Sequence, residues 1–211
     1  MKIKLTIALL AFFSFSQSQE NITYQKPSQE ILQLADHERA PSVMMNGNRE
    51  WMVLTYRDTY KTLDDLNQSE IRLGGLRINP QTNISSTVTY IKNLKVRKLK
   101  DTKETQVAGL PANAKISNFS FSPDDTKLAF TNTTSNGVEL WVVDLASATA
   151  KKLTSDKLNA NLGNPVNWYR DSKKVLVRLL PDNRPALLDD KKDLPTGPIV
   201  STSDGKVSQN R

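Results

Sequence analysis

Three stretches of this chain can be laid over one another, and that repeat limits its possible folds more than any other feature. They are Val43-Met44-Met45-Asn46-Gly47-Asn48-Arg49-Glu50-Trp51-Met52-Val53-Leu54, Phe119-Ser120-Phe121-Ser122-Pro123-Asp124-Asp125-Thr126-Lys127-Leu128-Ala129-Phe130 and Val166-Asn167-Trp168-Tyr169-Arg170-Asp171-Ser172-Lys173-Lys174-Val175-Leu176-Val177. Each reads as an apolar strand, a tight polar turn and a second apolar strand, which is a hairpin. In the middle copy Pro123 suits the second position of a type I turn and Asp124 the third.

The middle copy continues through Val138-Glu139-Leu140-Trp141-Val142-Val143-Asp144-Leu145 and, after a polar turn, Lys151-Lys152-Leu153-Thr154. Four strands in about forty residues make one propeller blade. Its third strand is apolar on both faces, with Val138, Leu140 and Val142 on one and Trp141, Val143 and Leu145 on the other, which predicts a strand sandwiched between neighbouring sheets. The second and third copies start 47 residues apart, at 119 and 166, whereas the first lies much further from the second. An insertion between Arg57 and Lys103 accounts for the excess. Within it, Leu73-Gly74-Gly75-Leu76-Arg77-Ile78 reads as a strand whose glycines permit close packing or a bulge. The expected fold is all-β: a partial, open β-propeller of about two to three four-stranded blades over residues 40–211. Known rings close with about four to eight blades. The chain therefore reads as the front of a longer protein, with Pro195-Thr196-Gly197-Pro198 and Ser203-Asp204-Gly205-Lys206 as turns leading onward.

Ahead of the repeats, Lys2 and Lys4 precede an apolar stretch over residues 5–15, and Ser16 and Ser18 occupy the small-residue positions of a cleavage site. Residues 1–18 are expected to be a signal peptide, too short to span a bilayer, and the product to be periplasmic or secreted. Residues 19–39 form a polar lead-in with one helical candidate, in which Pro27 takes the first turn and Ile31, Leu32, Leu34 and Ala35 form an apolar face. With no cysteine, an exported chain has no disulfides to lean on. Its 37% hydrophobic and 7% aromatic content is lean for a self-sufficient core. The net charge of +7 is densest at Lys92, Lys95, Arg97, Lys98, Lys100 and Lys103. Val96 and Leu99 interleave with those charges, as in an outer strand with a solvated, lysine-guarded face. No nucleic-acid recognition motif accompanies them, so no nucleic-acid partner is expected.

Serine catalysis needs a base and a sharp nucleophile turn. The single histidine, His37, stands between Asp36 and Glu38 in the lead-in, and no Gly-x-Ser-x-Gly occurs. No catalytic residue is therefore assigned, His37 being read as a surface residue. One histidine and no cysteine leave no zinc site. Asp64-Asp65, Asp124-Asp125 and Asp189-Asp190 lack the alternate spacing of a calcium loop and read as solvated turns. No metal and no cofactor are expected. Asn21, Asn67, Asn83, Asn118 and Asn132 begin Asn-x-Ser/Thr triplets, which act as glycan acceptors only in a eukaryotic secretory pathway.

The segment Phe121-Ser122-Pro123-Asp124-Asp125-Thr126-Lys127-Leu128-Ala129-Phe130, followed by Leu140-Trp141-Val142-Val143-Asp144, resembles the propeller repeat of prolyl-oligopeptidase-type (S9) serine peptidases and of TolB-like propellers. The order Tyr24-Gln25-Lys26-Pro27, Ala40-Pro41-Ser42, Leu73-Gly74-Gly75-Leu76-Arg77-Ile78, Gly109-Leu110-Pro111, the blade motif, Leu194-Pro195-Thr196-Gly197-Pro198 and Ser203-Asp204-Gly205-Lys206 is similar to the amino-terminal propeller of the glutamyl-endopeptidase branch. The resemblance implies a propeller that restricts peptide access to an α/β-hydrolase domain, and that domain has no match in this sequence. Peptide substrates would then be met through the parent enzyme, and the 211 residues alone would be inactive. The competing reading is a non-enzymatic, TolB-like protein-binding module. The mature protein is expected to begin at Gln19. N-terminal sequencing of the exported product checks this, and a product retaining Met1 would overturn the signal reading.

Overall fold

The computed structural model describes residues 26–185, in two units divided between Glu38 and Arg39. The signal segment 1–18, Asp189-Asp190 and the turn segments at 195–198 and 203–206 lie outside the described residues. In the first unit, α1 (Gln29–Ala35) starts from Ser28 at the N-cap. Pro27 therefore precedes the cap instead of entering the first turn, its fixed φ serving the extended approach to the helix. Its apolar face is not buried, Ile31 being 56% and Leu34 80% exposed.

In the second unit all three hairpins form. β1 (Ser42–Met45) pairs with β2 (Trp51–Tyr56), β8 (Ile116–Phe121) with β9 (Lys127–Thr133), and β12 (Val166–Trp168) with β13 (Val175–Val177), all antiparallel. The middle hairpin extends through β10 (Val138–Asp144) and β11 (Thr149–Lys152) into the expected four-stranded meander. The first hairpin also becomes a four-stranded sheet, ordered β1-β2-β6-β7, by adding β6 (Asn93–Lys98) and β7 (Thr105–Gln106).

This arrangement corrects three sequence expectations. The insertion ends before β6, because the residues that follow complete the first sheet. It contains a short helix, α2 (Leu63–Leu66), and a small sheet of β3 (Ile71–Leu73), β4 (Leu76–Asn79) and β5 (Ile84–Ser85). Gly74-Gly75 is the two-residue turn joining β3 to β4, with φ of 51° and 90° and nothing packed against either glycine. It is thus neither a bulge nor a close approach, and its positive φ angles are those of a hairpin turn. The basic run is likewise no outer strand: β6 lies between β2 and β7 with Leu94 and Val96 buried. Lys95 projects from its other face, its ammonium group 5.0 Å from the ring centre of Tyr56, while Lys98 ends the strand on the Leu94 and Val96 face with its ammonium group 5.4 Å from the ring centre of Trp51.

The second sheet is buried on both faces, as β10 predicts. Val143 and Leu145 join Leu128 and Phe130 in a core that also takes Val53, Leu94 and Val96 of the first sheet. Val138 and Leu140 join Ala129 and Val166 in a second core, against which Trp168, Val175 and Val177 of the third hairpin pack. Phe130, fully buried, stacks on Trp141 at 6.4 Å and 14°. Backbone also bonds between sheets where the Ala108 N–H donates to the Ala148 carbonyl and the Ala108 carbonyl accepts from the Ala150 N–H, each at 2.8 Å. Gly109, at φ 74°, sits where a Cβ would come within 2.8 Å of the Ala150 carbonyl oxygen, so only glycine fits.

The three hairpin turns share one construction. In each, the first residue (Asn46, Ser122, Tyr169) donates its N–H to the carbonyl five residues on and accepts from the N–H of the fourth (Arg49, Asp125, Ser172), at 2.9–3.2 Å. The third-position side chains of Asn48, Asp124 and Asp171 accept from the N–H two residues later, at 3.1, 3.2 and 3.0 Å. The fourth residue is left-handed every time, with φ of 59°, 59° and 56°. Glycine is the favoured residue there. This chain instead places side chains that fasten one turn to the next. The two carboxylate oxygens of Asp125 accept the N–H groups of Gly47 and Asn48, both at 2.7 Å, and Ser172 Oγ accepts that of Asp124 at 3.0 Å. At the second junction Pro123 has no N–H to offer, so a single hydroxyl does what needs a carboxylate at the first.

Replacing Asp125 separates the strain from the bond. Asp125→Gly relieves the left-handed backbone but forfeits two charge-assisted bonds, and a net loss of about 1 kcal/mol is expected. Asp125→Ala keeps the strain as well and should lose about 2 kcal/mol. Urea denaturation reads the order, and a glycine variant more stable than the parent would show that the clasp contributes nothing net.

Candidate functional site

Antiparallel pairing places the ends of β2 and β9 and the starts of β6 and β8 at the edge opposite the three turns. There the insertion folds back over the sheet ends and encloses a polar basin of about 630 Å³. Arg57, Asp58 and Lys61 enter it from the segment after β2, Asn79, Thr82 and Tyr90 from the inserted sheet and its exit, and Lys115 and Thr133 from the ends of β8 and β9.

α2 is held by a capping box: Thr62 Oγ1 accepts from the Asp65 N–H at 3.1 Å, and Asp65 Oδ2 accepts from the Thr62 N–H at 3.3 Å. This aims Asp65 across the basin, where its Oδ1 meets Lys115 Nζ at 3.0 Å, with Asp64 at 3.6 Å. Lys115 also lies 5.7 Å from the Tyr90 ring centre. Burial works against the charge on Asp65, but the bonds from Lys115 and Thr62 outweigh it and hold the carboxyl below its ordinary value. Burial likewise opposes charge on Lys115, and Asp65 outweighs it and raises the ammonium. Burial pushes the Tyr90 phenol up. On the far wall Lys92 pairs with Asp58. The Asp58, Asp64 and Asp65 carboxylates are thus engaged, whereas Arg39, Arg57 and Lys61 on the same walls have no ion-pair partner among the described residues. Arg57 Nε and Thr82 Oγ1 are buried with no hydrogen-bond partner among those residues.

Sequence reasoning placed no site here, and Asp64-Asp65, read as a solvated turn, is in fact the helical turn that faces Lys115. Only the Thr62-x-x-Asp65 spacing signalled structure locally. Arg57, Thr82 and Lys115 come together through tertiary folding alone. Asp124-Asp125 does lie in a turn, as read. His37 is exposed and follows α1 in the first unit. Asn83 and Asn132 are 4% and 5% exposed, which closes them to glycans. Among the described residues no group of three or more His, Cys, Asp or Glu is placed to hold a metal, and no helix is long and apolar enough to cross a membrane.

No protein-family model matches the chain. Over 194 residues it is 27% identical to a probable chloroplastic glutamyl endopeptidase of Oryza sativa subsp. japonica, covering 86% of this chain and 20% of that one. Over 197 residues it is 28% identical to a probable chloroplastic glutamyl endopeptidase of Arabidopsis thaliana, covering 87% and 20%. This chain is an S9-peptidase-related region. It spans about a fifth of the length of those relatives. Among solved structures it overlaps an acylaminoacyl peptidase in complex with Z-Gly-Gly-Phe-chloromethyl ketone, at a TM-score of 0.37 and 18% identity, over 72% of this chain and 20% of that one.

Because the Asp65 carboxyl is lowered in the folded protein, the stability it contributes is complete above its ordinary value of 3.8 and is lost as the pH falls through the lower folded value. Asp65→Asn is expected to cost about 0.5–1 kcal/mol at neutral pH, with parent and variant converging in acid. Urea titrations across that range check it, and a difference independent of pH would assign the effect to the helix cap alone.

Proposed function

We propose that the chain is the N-terminal propeller region of an exported S9-type serine peptidase, with its sheets as successive blades that gate peptide access to a hydrolase domain outside these residues. The observation that carries the reading is the pairing of a repeated, face-to-face sheet unit with 27–28% identity to glutamyl endopeptidases over nearly the whole chain. A sheet buried on both faces supports a blade within a stack, since a lone antiparallel sheet has only one face to cover. The hairpin turns fasten neighbouring blades at one edge, and the basin opens at the other, which is the edge suited to meeting substrate. In this reading the chain contributes admission and docking, supplies no member of a catalytic triad, and works in the periplasm or outside the cell.

Peptidase activity on glutamyl and prolyl peptides is the test, comparing this chain with the product of its locus read through beyond Arg211. Activity is expected in the longer product alone. Activity in neither would favour a TolB-like binding module, and activity in the short chain would overturn the assignment of chemistry to another domain.

A further inference from the structure

The clasp that joins the hairpin turns runs in one direction, and its last step is unmade among the described residues. Each turn offers the N–H groups of its second and third residues, and the fourth residue of the following turn receives them on a side-chain oxygen. Gly47 and Asn48 donate in this way to Asp125, and Asp124 to Ser172. The receiving residues are drawn in, Asp125 half-buried and Ser172 buried. In the third turn the second and third residues are Arg170 and Asp171, both exposed, and neither N–H donates a hydrogen bond among the described residues. That turn is closed like the other two, by the Tyr169 and Ser172 bonds at 2.9 and 3.0 Å and by the Asp171 carboxylate on the Lys173 N–H. Its two open donors therefore stand where those of Gly47 and Asn48 stand in the first turn.

We infer that the third turn is a docking site for a carboxylate, carried by an aspartate at the fourth position of the hairpin turn of a further sheet. The number of donors selects the acceptor. Two N–H groups in the first turn meet the two oxygens of a carboxylate at 2.7 Å, and the one left beside Pro123 meets a hydroxyl at 3.0 Å. Arg170 is not proline, so the third turn offers two, and successive turn N–H groups make a concave seat for an anion. Local charge points the same way: Arg170, Lys173 and Lys174 stand beside one carboxylate, Asp171, a balance of +2, which strengthens a bond to an ionised acceptor. A second copy of this chain does not fit. Continuing the series, it would bring its first turn, whose fourth residue is the exposed Arg49, a side chain with donors and no acceptor. Asp125 and Ser172 are 47 residues apart, and one more step of that length from 172 reaches about 219, beyond Arg211. The inference rests on the reading of this chain as the front of a longer propeller, and adds to it the side chain that continues the series.

Hydrogen exchange read at single amides by mass spectrometry tests this, on the full chain and on the product of its locus read through beyond Arg211. In the full chain Gly47, Asn48 and Asp124 are expected to exchange slowly, and Arg170 and Asp171 at the rate of an open loop. In the longer product Arg170 and Asp171 should slow by about tenfold, the size of one charge-assisted bond. Asp125→Ala in the full chain frees Gly47 and Asn48 and so sets the rate of an unclasped turn. Arg170→Pro copies the second turn, at a position where proline suits the backbone. It should leave the melt of the full chain unchanged while the Asp171 amide of the longer product exchanges several-fold faster than in the parent, one of two donors being gone. Fast exchange at Arg170 and Asp171 in the longer product overturns the site. A next hairpin turn without a carboxylate overturns the choice of ligand, and protection in the full chain that grows with protein concentration overturns the choice of partner in favour of a second copy. An active longer product with fast amides would keep the peptidase reading and remove the clasp, and an inactive one with slow amides would do the reverse.

Discussion

Burial of the second sheet on both faces is the constraint on which the rest of the second unit depends. Leu128, Phe130, Val143 and Leu145 look one way and Ala129, Val138 and Leu140 the other, and neither set can leave water without a neighbouring sheet. Burying a side chain of this size is worth about 1.5–3 kcal/mol, so several per face give each inter-sheet contact a large apolar term. The first sheet and the third hairpin are therefore held in place chiefly by what the second sheet must bury. Polar bonds refine that placement. The backbone bonds of Ala108 to Ala148 and Ala150 bring two backbones so close that only glycine fits at position 109.

The hairpin turns show how a locally unfavourable choice becomes useful once sheets are stacked. A left-handed aspartate or serine is strained beside the glycine that would ordinarily stand there. Asp125 and Ser172 use that strained position to reach the backbone donors of the preceding turn. The match extends to the number of donors, since a carboxylate faces two N–H groups and a hydroxyl faces the one that remains beside Pro123. Each turn is thereby both a hairpin closure and half of a junction between sheets.

At the opposite edge the insertion replaces tight junctions with a cavity. α2 and the β3–β5 sheet interrupt the first sheet between β2 and β6 and return to meet the start of β8, where Asp65 and Lys115 close the contact. A wall built by loops and strand ends carries polar side chains inward, because those residues had been exposed at the ends of the sheets. The two edges are thus specialised in opposite senses, one bonded shut and the other left open and positively charged.

Periodicity made the hairpins, the four-stranded meander and the two-faced β10 legible in the sequence, because alternation and turn chemistry are properties of adjacent residues. The Ser122-Pro123-Asp124 turn could be placed residue by residue for the same reason. What sequence reading misplaced or missed depends on distant partners. β6 looked like a guarded outer strand because its lysines are visible in sequence, whereas the β7 strand beyond it, two residues long, is not. Gly74-Gly75 showed its flexibility but not which two strands it joins. The basin left almost no local trace, since Arg57, Thr82 and Lys115 are far apart along the chain and nothing in their spacing says that they face one another. The sequence by itself determined which segments are strands and which turns close them, through side-chain alternation and backbone preference. Only the tertiary structure decided which charges are paired and which are left over, because that depends on distances set by packing.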